Sequence, residues 1–334
     1  MTRLGPIFFA SLLCCAAGCR PRSSTGGVAD GAVLPDGGGD GGADSLAART
    51  QAVLDTIAHD ATCNTLPQLY WEIGDVHGAL ASGSVGTSFA ADTQMNIASA
   101  TKWLWGAYVV ERFKDDPGAI DLAAMTMKTG YVSLSYDTCV LSSTVQDCFA
   151  AASNSTHTAA DDGVFYYNGG HFQKYAIDLG LGGDDKVALA AEFKKYLGAD
   201  LAFTFSSPQL AAGARTSPSD YAAFLRKILA GSLAIAAELD ANAVCTLPSA
   251  CPTAAYSPAP AAWHYAYAHW IEDDPTSGDG AFSSPGAFGF YPWIDASKQY
   301  YGILARYVVG SGAYLESANC GRLLRKAFLT GQPQ

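Results

Sequence analysis

Three observations predict a mixed fold, α+β or α/β, whose sheet is assembled from both ends of the chain. Runs of aromatic and β-branched residues punctuated by turn formers lie near the start, in 68–86, and near the end, in 263–306. Helical patterns come first, in the middle and last. At 334 residues and 49% hydrophobic, the chain can bury one large core.

In chain order, "DSLAARTQAVLDTIAHDA" (44–61) reads as an opening helix, with a capping Asp or Ser and apolar Leu46, Val53, Leu54 and Ile57. "QLYWEIGDVHGALASGSVG" reads as a strand, a turn and a second strand. "SPSDYAAFLRKILAG" is a helix capped by Ser217, with Pro218 at its first position and Gly231 past its end. "WHYAYAHWIE" (263–272) reads as one strand. "AFGFYPWID" and "QYYGILARYVVG" read as a pair joined by a turn at 295–298, and "SANCGRLLRKAFLT" (317–330) as a closing helix.

A formal charge of −11 without a basic stripe argues against nucleic acid, because phosphate binding needs clustered Lys and Arg. The six His are scattered and no C-x-x-C occurs, so neither a metal site nor a cofactor is expected. There is no G-x-S-x-G elbow and no phosphate-binding Gly loop.

The first 18 residues read as an export signal. Arg3 gives a positive start, Leu4–Ala17 an apolar run, and small residues lead to Cys19. Ala16-Ala17-Gly18-Cys19 resembles a bacterial lipobox, with Ala where Leu is usual, which implies lipidation of Cys19. Residues 19–44, rich in Gly and Asp, read as a flexible tether, and 45–334 as the folded domain. The expectation is an exported lipoprotein, monomeric and held at a membrane by its lipid. The outer membrane is favoured, because Arg20 rather than an Asp retention signal follows Cys19. Six cysteines remain in the domain and can pair in 15 ways. Proximity favours Cys139–Cys148 and Cys245–Cys251, which leaves Cys63–Cys320.

The chemistry centres on "NIASATKWLWGAYVVERF" (96–113). On a helix, Ser99 and Lys102 share a face. Apolar side chains from Trp103 to Phe113 cover nearly every face, so the helix is expected to be buried. Burial depresses a lysine pKa, and a neutral amine can take the serine proton. The helix start offers free N–H groups to a developing oxyanion. The plainer alternative is a serine N-cap with a snorkelling lysine, and S-x-x-K is a short motif. Downstream, "GVFYYNGGHFQKYAIDLG" contains Tyr166-Tyr167-Asn168, a Y-x-N, with Gly169-Gly170 opening another helix. Alone, Tyr166 reads as a buried aromatic and Asn168 as a turn residue.

S-x-x-K at the start of a buried helix, followed by Y-x-N, resembles the serine β-lactamase-like superfamily. The branch is the class C one, with its penicillin-binding proteins, esterases and amidases. "MNIASATKWLWGAYV", "AAGARTSPSDYAAFLRKILAG" and "AFGFYPWID…YYGILARY" are similar to family segments, so the likeness spans most of 45–330. It implies an antiparallel α+β sheet flanked by helices, with an inserted helical region. It also implies Ser99 as acyl nucleophile, Lys102 and Tyr166 as proton carriers, and Asn168 bonded to substrate or to Lys102.

The family's third motif, K-T-G or H-x-G, is altered. Ser284-Pro285-Gly286 falls there, keeping the glycine and losing the cation; a register three residues earlier puts Ala281 at the lysine position. Gly286 would let substrate approach the strand, and the Ala287 N–H would complete the oxyanion hole with that of Ser99. Neither Lys298, Arg306 nor Arg215 has a motif to recommend it as a replacement. A missing cation weakens binding of a substrate carboxylate. The expectation is a serine hydrolase using an acyl-enzyme, an esterase or amidase acting on a small ester, amide or peptide. A β-lactamase or DD-peptidase, and a catalytically silent surface binding protein, are the rivals.

Overall fold

The computed structural model describes residues 45–310 and 312–334. The signal, the tether and Cys19 lie outside the described residues. Among the described residues, no helix is long and apolar enough to cross a membrane.

An antiparallel sheet of eight strands forms the centre. Its order is Gly78–Val85, Leu69–Asp75, Tyr301–Ala305, Tyr291–Ile294, Ala281–Ser283, His269–Glu272, His264–Ala266 and Val244–Cys245. The first strand pair from the chain start is therefore completed by strands from its end, through the register Glu72↔Ile303. Helices cover both faces, so alternate residues along each strand enter different cores. Trp71, Ile73, Trp293 and Leu304 pack with Val53 and Ile57 of helix Leu46–His59 and Leu324 and Phe328 of helix Ala313–Thr330. Tyr70, Ile294, Ile303 and Ala305 face the larger core, which holds helices Thr101–Arg112 and Pro218–Leu229.

Local signals explain the helix ends. Ser45 accepts from the Ala48 N–H, and Ser217 from the Asp220 N–H ahead of a helix that begins at Pro218. The inserted helical region between the two parts of the sheet includes Gly170–Asp178 and Lys186–Leu197.

Two expectations change. "WHYAYAHWIE" is a hairpin, because Tyr267 and Ala268 both adopt positive φ (39° and 66°) and turn the chain between His264–Ala266 and His269–Glu272. The closing helix begins earlier, at Ala313.

Cys63 is bonded to Cys320, and Cys139 to Cys148. The Cys245–Cys251 bridge is absent: both are free thiols, and the Cys251 Sγ instead lies 3.2 Å from the Thr253 hydroxyl. Asn154 is fully buried, and its side-chain amide donates to the Cys148 carbonyl.

Candidate active site

Ser99 sits in a 3₁₀ turn, Ala98–Ala100, that runs straight into the helix Thr101–Arg112. Ala98 before it has φ +44°, a conformation that costs a non-glycine residue and aims the next side chain sharply. The turn is tied down from several sides. Ile97 N–H donates to the Ala214 carbonyl, Ala214 N–H to the Thr101 hydroxyl, and Tyr221 Oη to the Ala100 carbonyl at 2.8 Å. The backbone N–H groups of Ser99 and Ala287 have no hydrogen-bond partner among the described residues, and both residues line the same cleft. That is what an oxyanion hole requires.

The Lys102 Nζ lies 2.8 Å from the Ser99 Oγ and donates to the Ala211 carbonyl at 2.9 Å. It also stands 4.8 Å from the centre of the Tyr167 ring. Lys102 is buried and makes no ion pair among the described residues, and burial lowers its pKa from 10.5 to about 7. A large share of neutral amine is thus present at neutral pH, beside the hydroxyl.

The tyrosine differs from expectation. Tyr166 lines neither cavity at Ser99, and its ring lies 5.3 Å from that of Tyr256. Tyr167 lines both cavities and stacks on Trp270 at 5.2 Å. Burial pushes its phenol up to about 12, offset in part by the nearby Ser99 hydroxyl, so it is a protonated donor at neutral pH. Tyr166 and Tyr167 are neighbours where the strand Phe165–Tyr166 ends, so their side chains take opposite sides, and the side that meets the cleft is that of Tyr167. His171, kept neutral by burial that drops its pKa to about 4, bridges Thr129 and the Tyr166 carbonyl and fixes this segment.

Asn168 lines the cleft but does not bond Lys102. Its Oδ1 accepts from the Leu134 and Gly170 N–H groups, holding the loop at 134 against the site. Ser284 does not line the cleft either: it is buried, and its hydroxyl donates to the Ser99 carbonyl at 2.9 Å. Its role is to hold the nucleophile's backbone. Gly286 is needed for the same approach, since a Cβ there would stand 2.2 Å from the Ile97 carbonyl oxygen.

The other cations are occupied elsewhere. Arg306 is buried against Ser317 and Glu316, Lys298 lies 3.8 Å from Asp240, and Arg215 donates to the Gln94 carbonyl beside a separate groove. Among the described residues that line the cleft around Ser99, Lys102 is the one basic side chain. Among the described residues, no three His, Cys, Asp or Glu side chains converge as a metal site needs.

The cleft has two arms. One, of about 320 Å³, is lined by Tyr256, Pro258, Ala259, Trp263, Trp270 and Tyr314. The other, about 340 Å³, contains Lys102, Gln209, Ala211 and Phe288. Sequence reasoning missed Tyr167, Tyr256, Trp263 and Tyr314; the aromatic density of "WHYAYAHW" (263–270) was a signal for Trp263 alone.

No family model matches the chain, and no curated protein does. Solved structures do. A β-lactamase from Mycobacterium bovis aligns over 78% of this chain and 96% of its own, at 15% identity and TM-score 0.53. The D-amino acid amidase of Ochrobactrum anthropi SV3 aligns over 85% and 98%, at 11% and 0.61. EstCE1, a hydrolase with promiscuous acyltransferase activity, aligns over 86% and 99%, at 12% and 0.58. The fold is β-lactamase-like.

Proposed function

We propose that the chain is a serine hydrolase that works through an acyl-enzyme on Ser99, as an esterase or amidase. The observation that carries this reading is a buried lysine amine 2.8 Å from a serine oxygen, with no carboxylate among the described residues to hold it charged. Neutral Lys102 takes the Ser99 proton as Oγ attacks the substrate carbonyl carbon. The oxyanion forms against the Ser99 and Ala287 N–H groups. As the bond to the leaving oxygen or nitrogen breaks, that atom gains a proton from the Tyr167 phenol, which is refilled from Lys102. Water then adds to the ester carbonyl, giving its proton to Lys102, and Ser99 regains a proton as the free acid leaves.

The fold neighbours named above include a β-lactamase, an amidase and an acyl-transferring hydrolase, so this chemistry is compatible with the scaffold. Among the described residues the cleft has no second basic side chain, which disfavours substrates gripped by a carboxylate, and so disfavours penicillins and peptide C-termini. The test is turnover of p-nitrophenyl esters with intact-mass detection of an acyl group on Ser99. Ester turnover that survives in Ser99→Ala would sink the proposal. We further propose that Cys19 is lipidated and tethers the domain to a membrane; a Cys19→Ala chain that still incorporates labelled palmitate would contradict this.

A further inference from the structure

The two arms of the cleft differ in one decisive respect. Lys102 borders the Gln209–Phe288 arm and not the aromatic arm. In the mechanism above the deacylating water gives its proton to Lys102, so it enters from the Lys102 side, and it takes the place that the leaving group vacates. The acyl group is left with the aromatic arm.

Among the described residues, none that lines that arm is charged. Its walls are Tyr256, Trp263, Trp270 and Tyr314, with Pro258 and Ala318 closing it. The Tyr314 hydroxyl donates to the Pro258 carbonyl at 2.9 Å, pinning the 256–260 loop to the closing helix and giving the arm a fixed outer wall. At about 30 Å³ for each water-sized group, 320 Å³ has room for roughly ten heavy atoms. A carboxylate there would be stripped of water with no partner.

We propose, resting on the hydrolase reading above, that the substrate's acyl group is uncharged and apolar, a medium-length alkyl or arylalkyl chain. It is held in the aromatic arm, and Tyr314 and Ala318 set its length limit.

The experiment holds the leaving group constant. kcat/KM is measured for p-nitrophenyl acetate, butyrate, octanoate, phenylacetate and monosuccinate, on the wild type, Ser99→Ala, Ala318→Leu and Tyr314→Phe. The wild type is expected to favour octanoate and phenylacetate over acetate by at least tenfold; full burial would give up to about fourfold per methylene. Monosuccinate should fall at least tenfold below butyrate. Ala318→Leu, which fills the arm, should lower the octanoate-to-acetate ratio at least tenfold. Tyr314→Phe, which keeps the ring and frees the loop, should lower it by a smaller factor. A wild type that turns over acetate and octanoate equally overturns the acyl assignment and leaves the hydrolase reading standing, as does one that accepts monosuccinate like butyrate. An unchanged ratio in both variants overturns it as well. If no ester is turned over, or if Ser99→Ala is as active as the wild type, the hydrolase reading itself fails and takes this inference with it.

Discussion

Replacing Lys102 by Met tests the site at its most unusual group. Met keeps the unbranched stem and removes the charge. In the native state burial brings the amine from 10.5 to about 7, while the unfolded chain keeps the ordinary value. Between those two pH values the unfolded chain holds a proton that the native protein has given up. Stability contributed by this position therefore rises with pH across that window, and the cost is full below about 7. At about 1.4 kcal/mol per pH unit, the cost of a charged Lys102 in the native state is about 5 kcal/mol. Urea unfolding at pH 6.5, 8 and 9.5, for wild type and Lys102→Met, isolates it, since other groups cancel in the difference. The Met variant is expected to be the more stable at pH 6.5. The wild type should then regain roughly 3 kcal/mol relative to it by pH 9.5. In the same protein, kcat/KM for an ester should rise with pH and level off above about 7, because the neutral amine is the base. Parallel stability curves together with a rate inflection above 9 would refute the reasoning: Lys102 would then be charged at neutral pH and unable to accept the Ser99 proton.

Three further outcomes follow from the packing. Tyr167→Phe should lower kcat by about 10²–10⁴ while Tyr166→Phe stays within severalfold, measured on one ester with folding checked by circular dichroism; the reverse order would restore Tyr166 as proton carrier. Gly286→Ala puts a Cβ against the Ile97 carbonyl, so kcat/KM should fall about 100-fold with only modest loss in melting temperature. Opening Cys63–Cys320, which closes a loop with a sequence separation of 257 residues, should cost up to about 5 kcal/mol in denaturant unfolding. Opening Cys139–Cys148, separated by 9, should cost less.

What the sequence determined by itself was whatever depends on local spacing. Ser99 and Lys102 meet because three residues on a helical turn bring side chains to one face, and the apolar run from Trp103 to Val110 announces burial without any partner being known. The caps at Ser45 and Ser217 are local for the same reason, and the sheet's origin at both chain ends was legible from two distant strand clusters. Tertiary structure alone decided which tyrosine faces the serine. Neighbouring residues of an extended segment point to opposite sides, and which side meets the cleft depends on how that segment packs in the fold, which a strand read alone does not show. It also decided that Ser284 holds the Ser99 carbonyl rather than lining the cleft, and that Arg306, Lys298 and Arg215 are engaged elsewhere. The aromatic arm, too, joins residues from the 256–260 loop, a hairpin and the closing helix. Those residues run from Tyr256 to Ala318, up to 62 positions apart, and only the folded sheet, not any local pattern, brings them to one wall of the same cleft.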